Sequence, residues 1–289
     1  GQEVMKKASV IIFLLLAVCA AKAQNVPALL IQSDPERLSM GASDLPEAYK
    51  VLDNNFLDCH INYGIWAPSN VNNHLLSAGA GINFQRFRVS VKGKFLADRE
   101  PGILYNEFGI PLGESWSRDL CMELGAACRI VDDFSAGVSI RFIDSSLGSE
   151  IKANAFMADI SGAYRNGVLD AHISLNNLGT PLRYGSSAVS LPVYLVGGVE
   201  YELAGFASAE AELAYVFGGQ FMASAGFELN YNKTAFLRAG YHFGGDKGLP
   251  SFLSCGLGFQ MLGIKLNACC LFGPGTLSGT MVFGLGYSF

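Results

Sequence analysis

The chain has 289 residues, 50% of them hydrophobic and only 16% charged, with a formal net charge of −5. Soluble globular domains carry about 25% charged residues, so a chain this apolar is not intrinsically disordered, and its acidic balance excludes a non-specific nucleic-acid binder. Past residue 23 no run of about eighteen apolar residues occurs, so a sheet-rich soluble protein or a membrane β-barrel remains.

Residues 1–23 read as an export signal. Met5 is the natural start, with Gly1–Val4 upstream of it. Lys6 and Lys7 form a basic region, residues 8–20 an apolar stretch too short to span a bilayer, and Ala21-Lys22-Ala23 a small-x-small cleavage site before Gln24. Val18 precedes Cys19 where a lipid-attachment motif wants a small residue, which argues against lipidation. Residues 24–55 do not alternate. Ser33-Asp34-Pro35-Glu36-Arg37 and Leu45-Pro46-Glu47 place proline where short helical turns begin. A segment of this size ahead of the first strand fits a plug or cap.

From residue 56 onward the hydrophobic period is two. Leu57, Cys59, Ile61, Tyr63 and Ile65 oppose Asp58, His60, Asn62 and Gly64. Phe87, Val89, Val91 and Phe95 oppose Arg86, Arg88, Lys92 and Lys94. The same rhythm carries through Leu76–Phe84, Leu120–Ile130, Phe134–Phe142, Phe156–Tyr164, Leu169–Leu175, Leu191–Tyr201, Ala207–Phe217, Phe221–Tyr231, Ala235–Phe243, Leu253–Met261, Ile264–Phe272 and Met281–Phe289. Successive strand side chains point to opposite faces, so this is about fourteen strands, each greasy on one side and wet on the other, near the ~9–11 residues a tilted transmembrane strand needs. A β-sandwich alternates too. Connection lengths favour the barrel: 67–73, 97–118, 143–155, 177–190 and 244–251 are long, and the connections between them are short, as in outer-membrane barrels. The Gly218-Gly219 turn is an exception on the long side. Charges of both signs on the wet faces suit a lumen better than a sandwich core. The expected fold is all-β: a transmembrane antiparallel barrel over residues 56–289 with a short N-terminal plug.

Chemical motifs are sparse. Cys59, Cys121, Cys128, Cys255, Cys269 and Cys270 lack zinc spacing and read as small hydrophobes on strands, with a disulfide framework the other reading. His60 beside Asp58 and His172 beside Asp170 share wet faces; an acid–base or metal site competes there with ordinary lumen polarity. The basic stripe Arg86, Arg88, Lys92 and Lys94, with Arg141, either draws an anion or pairs with carboxylates of neighbouring strands and the plug. No cofactor and no catalytic set is expected. The terminal Phe289 on an alternating last strand resembles an outer-membrane assembly signal.

One family resemblance runs through nearly the whole mature chain. Residues 28–41 (Ala-Leu-Leu-Ile-Gln-Ser-Asp-Pro-Glu-Arg-Leu-Ser-Met-Gly), Tyr63-Gly64-Ile65-Trp66-Ala67-Pro68, Phe134–Phe142 running to Leu147-Gly148, Asn177-Leu178-Gly179-Thr180, Leu191-Pro192, Leu237–Tyr241 and Gly256–Phe259 occur in order. Together they resemble the PorV/PorQ barrels of the Bacteroidetes type IX secretion system, related in fold to FadL transporters. The resemblance implies a fourteen-stranded plugged barrel in the outer membrane, non-enzymatic, in contact with lipid, a secretion translocon barrel and cargo C-terminal domains. The chain is shorter than typical PorV members, and an Asn-Pro stretch expected after the opening motif is missing. In that setting the longest outer loop, with Asp98, Arg99, Glu100, Tyr105, Phe108 and Trp116, is the candidate partner surface; a structural hairpin is the competing reading. Two alternatives stand beside the secretion role: a FadL-like channel for hydrophobic small molecules, and an outer-membrane hydrolase. The wet-face composition weakens the first, and the absence of an evident nucleophile–base set in the outer loops weakens the second.

Overall fold

The computed structural model describes residues 27–53, 55–67, 72–105, 111–148, 151–245, 248–273 and 277–289. The expected signal segment, its cleavage point and Phe108 lie outside them. Three short helices come first: α1 (Pro27–Leu30), α2 (Pro35–Ser39) and α3 (Glu47–Lys50). The strands follow as β1 (Leu57–Trp66), β2 (Asn73–Phe84), β3 (Phe87–Asp98), β4 (Gly102–Tyr105), β5 (Pro111–Ser115), β6 (Ser117–Val131), β7 (Phe134–Leu147), β8 (Ile151–Asn166) and β9 (Leu169–Gly179). The series ends with β10 (Leu182–Tyr184), β11 (Ser187–Val189), β12 (Tyr194–Ala204), β13 (Ala207–Val216), β14 (Gln220–Tyr231), β15 (Ala235–Phe243), β16 (Phe252–Met261), β17 (Ile264–Phe272) and β18 (Met281–Ser288).

Fourteen of these strands close into one antiparallel barrel; β4–β5 and β10–β11 are separate hairpins in two of its connections. Closure runs from Ile65 opposite Met281 to Asp58 opposite Ser288. It ends where the backbones of Leu57 and Phe289 exchange two hydrogen bonds, 3.0 and 2.8 Å. A closed barrel leaves no unpaired edge, which is what allows strands to stand in lipid. Val89, Ile140, Leu213 and Phe283 lie exposed on the outside, whereas Arg88, Arg141 and Glu212 are buried inside.

The two ends differ. At one, turns of two or three residues join the strands, and Phe56 and Phe289 lie there. Leu262 and Gly263 both take positive φ, 53° and 82°, the mirror-image turn whose twist matches the strands it joins. The other end carries the longer connections, but two are shorter than the sequence suggests. The 143–155 stretch is mostly strand, because β7 reaches Leu147 and β8 starts at Ile151. The 97–118 stretch is largely the β4–β5 hairpin. β6, β7 and β8 have 15, 14 and 16 residues against 9, 9 and 8 for β15, β17 and β18. At about 3.3 Å per residue and ~40° tilt, six extra residues raise that side by about 15 Å. There Asp144 faces Asn154 and Ser146 faces Lys152. The greasy–wet rhythm fails because the wall has left the lipid.

Among the described residues the six cysteines are free: Cys121 and Cys269 are buried, Cys255 exposed, and Cys59, Cys128 and Cys270 half-buried.

Candidate functional site: the lumen and its plug

Residues 27–53 run down the inside of the barrel from the long-loop end to the short-turn end. Three layers follow from the side chains that meet them.

The outermost layer is apolar. Ala28, Leu30 and Ile31 pack with Trp66, Leu75, Leu96, Phe252, Leu271 and Val282, which point inward from the outer ends of their strands and loops. Leu29 joins Ile143, Met157, Leu182 and Leu191, so the β10–β11 hairpin folds over the mouth against β7 and β8. Tyr184 adds a hydroxyl bond to Ser145 Oγ at 2.7 Å. The wet-face pattern of Ser, Gly, Asn and charge does not hold here. At the outer ends of β1–β3 and β16–β18 both strand faces are apolar.

The middle layer is ionic. Asp34 caps α2, its Oδ1 accepting the Glu36 amide at 2.9 Å, with Pro35 opening the helix. The helix delivers Arg37 to two carboxylates of β13. Its Nη1 donates to Glu210 at 2.7 Å, its Nη2 to Glu212 at 2.8 Å and also to Glu210. Glu212 accepts the Ser43 amide and hydroxyl as well, at 2.8 and 2.7 Å. The α2 C-terminus lies flat on a glycine patch. A Cβ on Gly240 would stand 2.2 Å from the Met40 carbonyl carbon, and one on Gly256 2.4 Å from Ser39 Cβ. Gly240 is thus bare because the plug backbone lies against it, whereas Gly258 leaves room for the Arg238 guanidinium and the Asn267 side chain. Ser254 Oγ donates to the Ser39 carbonyl at 2.9 Å, and His242 Nδ1 meets the Gly41 carbonyl at 3.1 Å.

Helix α3 supplies the second anchor. Glu47 lies 2.6 Å from Arg88 and 2.5 Å from Lys92. Burial alone would raise its pKa, but Lys92, Lys50 and Arg88 outweigh that and hold it well below the usual carboxylate range. Arg88 also holds Asp58, and Lys92 holds Glu123. Arg165 bridges Asp53 of the plug to Asp170 of β9, both at 2.8 Å, beneath the Tyr49 ring. Arg238 bridges Glu36 and Glu228 at 3.5 and 2.6 Å.

The basic stripe therefore divides. Arg88, Lys92, Lys94 and Arg141 enter the lumen, whereas Arg86 sits exposed on the β2–β3 turn, 3.8 Å from Asp132. The histidines separate too. His172 Nε2 lies 3.2 Å from Glu212, and His60 lines the space beside Lys50 on another part of the wall. Among the described residues no three His, Cys, Asp or Glu side chains converge as metal ligands. In the outer loop Asp98 accepts the Ser117 amide at 2.8 Å and Arg99 donates to Asn72 at 3.0 Å. Trp116 is 49% exposed, and Glu100, in the same connection, is exposed too. Tyr105 ends β4.

Among the described residues, two chambers lie beside the plug. One, about 120 Å³, lies mid-lumen, with Lys94, Arg141, Leu29 and Tyr194 in its lining. The other, about 350 Å³, opens among Asp53, Arg165, Glu200 and Lys265 at the short-turn end. Asp34, Leu45, Lys50 and His60 line both.

No family model and no curated protein matches the sequence. Solved structures do. CymD, a monoaromatic hydrocarbon channel, superposes with a TM-score of 0.65 at 13% identity, covering 90% of this chain and 98% of its own. TodX, the toluene transporter of Pseudomonas putida, gives 0.63 at 11% identity, covering 91% and 99%. The fold is that of outer-membrane channels. At this identity the likeness shows architecture, and it lies with channels rather than enzymes. The PorV/PorQ resemblance finds no matching family model.

Proposed function

We propose that this chain is a gated outer-membrane channel, FadL-like in form, that admits a small solute along its plug. The observation that carries the reading is the pair of chambers sharing Asp34, Leu45, Lys50 and His60, a stepped route from mid-lumen to the short-turn mouth. The apolar layer around Ala28, Leu30 and Phe252 closes the route on the other side, so passage requires the plug to shift. The shared architecture with a toluene transporter and a hydrocarbon channel supports the same reading. Cells bearing the chain in their outer membrane should take up radiolabelled toluene, benzamide or benzoate faster than cells with an empty vector. Uptake of all three no faster than by empty-vector cells eliminates the channel.

A secretion role of PorV/PorQ type is the second reading. It is favoured by the ordered sequence motifs and by the raised β6–β8 wall, where Trp116 stands 49% exposed next to the β4–β5 hairpin. Under this reading Asp98, Arg99, Glu100, Tyr105, Phe108 and Trp116 meet a translocon barrel or cargo C-terminal domain. Removing residues 99–116 would then leave a folded barrel in the membrane while cargo accumulates in the periplasm. Normal secretion with a normal barrel sinks it.

A further inference from the structure

The outside of the wall is almost free of charge, with one exception. Strand side chains alternate between lumen and lipid, so the exposed Leu124, Ile140 and Phe156 set the outward faces of β6, β7 and β8. Among the described residues, the outward faces of the fourteen barrel strands carry three formal charges: Arg118, Asp144 and Lys152. All three stand on the raised part of the wall. Arg118, Ser146 and Lys152 are register partners and form one row across β6, β7 and β8. Arg118 and Lys152 are both exposed, and among the described residues neither has a hydrogen-bond or ion-pair partner. The Ser146 hydroxyl between them is turned to the Gly148 carbonyl at 2.7 Å. Asp144 lies one row nearer the membrane, level with Leu120 and Asn154; it is half-buried, with no described cation within 4 Å. Exposed Glu100 and Glu114 stand off this sheet, on the connection that carries the β4–β5 hairpin.

Depth in the membrane follows from the rows below. The last wholly apolar row of these strands is Met122, Phe142 and Phe156, the two phenyl rings 5.0 Å apart. The next, Leu120, Asp144 and Asn154, is the first mixed row and marks the edge of the hydrocarbon. Two residues along a strand tilted by ~40° rise about 5 Å, so Arg118 and Lys152 stand ~5 Å beyond that edge. The headgroup layer of one leaflet is about 5–8 Å deep, and the two cations lie within it. We infer that this row holds a lipid of the outer leaflet by a phosphate monoester in its headgroup, taken between Arg118 and Lys152. A phosphate monoester carries about −1.5 to −2 charges at pH 7 and three acceptor oxygens, which suits two cations; a diester offers one charge. Strands β6 and β8 are two spacings apart, about 10 Å, and two long side chains close that gap from either side. Arginine brings a planar fork of donors and lysine a compact charge. Beneath them Leu120, Met122 and Leu124 on β6, and Phe156 and Ile160 on β8, give the acyl chains an apolar track. Trp116, two residues beyond Arg118 and 49% exposed, is a residue type that settles at headgroup depth. The inference is independent of any solute in the lumen.

Native mass spectrometry of the full-length protein, released from mixed detergent–lipid micelles, tests this with three probes: monophosphoryl lipid A, its dephosphorylated form and phosphatidylethanolamine. One cation at headgroup depth is worth about fivefold in binding, so the pair should favour the phosphorylated form by ~25-fold over the dephosphorylated one. Phosphatidylethanolamine, a diester with a cationic amine, should bind no better than the dephosphorylated form. Arg118→Gln and Lys152→Gln should each lower the preference about fivefold, and the double variant should abolish it. Arg86→Gln, on the β2–β3 turn at the opposite rim, should leave it unchanged. Heat-modifiable migration on gels reports that each variant is folded; both positions are exposed on the wall, so the barrel should persist. A wild type that retains the phosphorylated and dephosphorylated forms equally overturns the site. A preference that survives in the folded double variant overturns it by placing the site elsewhere. A preference that Arg86→Gln lowers as much overturns it too, because the attraction is then one of overall charge. Equal retention of phosphatidylethanolamine overturns the monoester and leaves a general headgroup contact. Inorganic phosphate in millimolar excess should not displace the lipid, and displacement would assign the row to a free anion instead.

Discussion

Arg37 reaches the lumen on a five-residue helix too short to be stable in water, so docking holds α2 in shape. Arg37→Ala removes one cation from between two buried carboxylates, Glu210 and Glu212. Breaking a buried pair from one side costs about 3–5 kcal/mol, because the remaining charges are stranded. The plug of the variant should become sensitive to limited proteolysis while the barrel stays heat-modifiable; equal resistance to the wild type would refute the anchor. Asp34 adds a pH dependence. Burial, then the nearby charges of Glu36 and Asp44, push its carboxyl up to about 6 from an ordinary 3.8. A raised carboxyl favours its neutral form when docked. This contribution to docking is therefore fully present below about pH 4 and is lost as pH rises through about 6. Asp34→Asn keeps a capping oxygen and removes the titration. Its plug should show a flatter protease sensitivity between pH 4.5 and 7.5 than the wild type, and an identical profile would place the pH response in other groups.

Among the elements, the strands that touch lipid on one side and ionic lumen on the other were legible because their two faces differ in polarity. Phe87–Phe95 and Ala235–Phe243 are such strands, and their alternation gives period and facing directly. The outer ends were not legible in that way. Leu75-Leu76, Phe95-Leu96, Phe142-Ile143, Phe156-Met157 and Met281-Val282-Phe283 are consecutive apolar residues, the mark of a strand covered on both faces. Those doublets, read together, carry the signal for the apolar layer that the plug closes. The ion pairs were half legible. Inward charge followed from facing, but which Glu meets which Arg depends on a plug whose path no periodicity encodes. The last element carries its own prediction. The Phe289 backbone makes the final pair of bonds to Leu57, while its ring is 73% exposed at the short-turn rim. Deleting Phe289 removes those bonds and the terminal aromatic, so the heat-modifiable species in the outer-membrane fraction should fall several-fold; unchanged abundance would assign closure to the remaining β1–β18 pairs alone.

At the scale of the whole molecule, the wall and the plug are separable in hydrogen bonding but not in charge. Every barrel strand pairs with two other strands, so the sheet closes without residues 27–55. The lumen does not balance without them. Arg37, Glu36, Glu47 and Asp53 each complete a cluster begun on the wall, and without Arg37 the neighbouring Glu210 and Glu212 on β13 would repel each other. The vacated space would fill with water, which screens stranded charges and lessens the cost of losing the pairs. A chain lacking residues 27–55 is therefore expected to insert as a barrel of lower thermal stability, with a larger loss of melting temperature at low salt than at high salt. It should also conduct. The outer apolar layer loses Ala28, Leu30 and Ile31, and the β10–β11 hairpin loses Leu29 beneath it, so the mouth closes on nothing. Planar-bilayer recordings should show steady, ohmic ion current through the truncated barrel and little through the full chain. A truncated barrel that stays as tight as the intact one would mean that the outer hairpins alone form the seal, and the gate would have to be sought in β10–β11 instead of the plug.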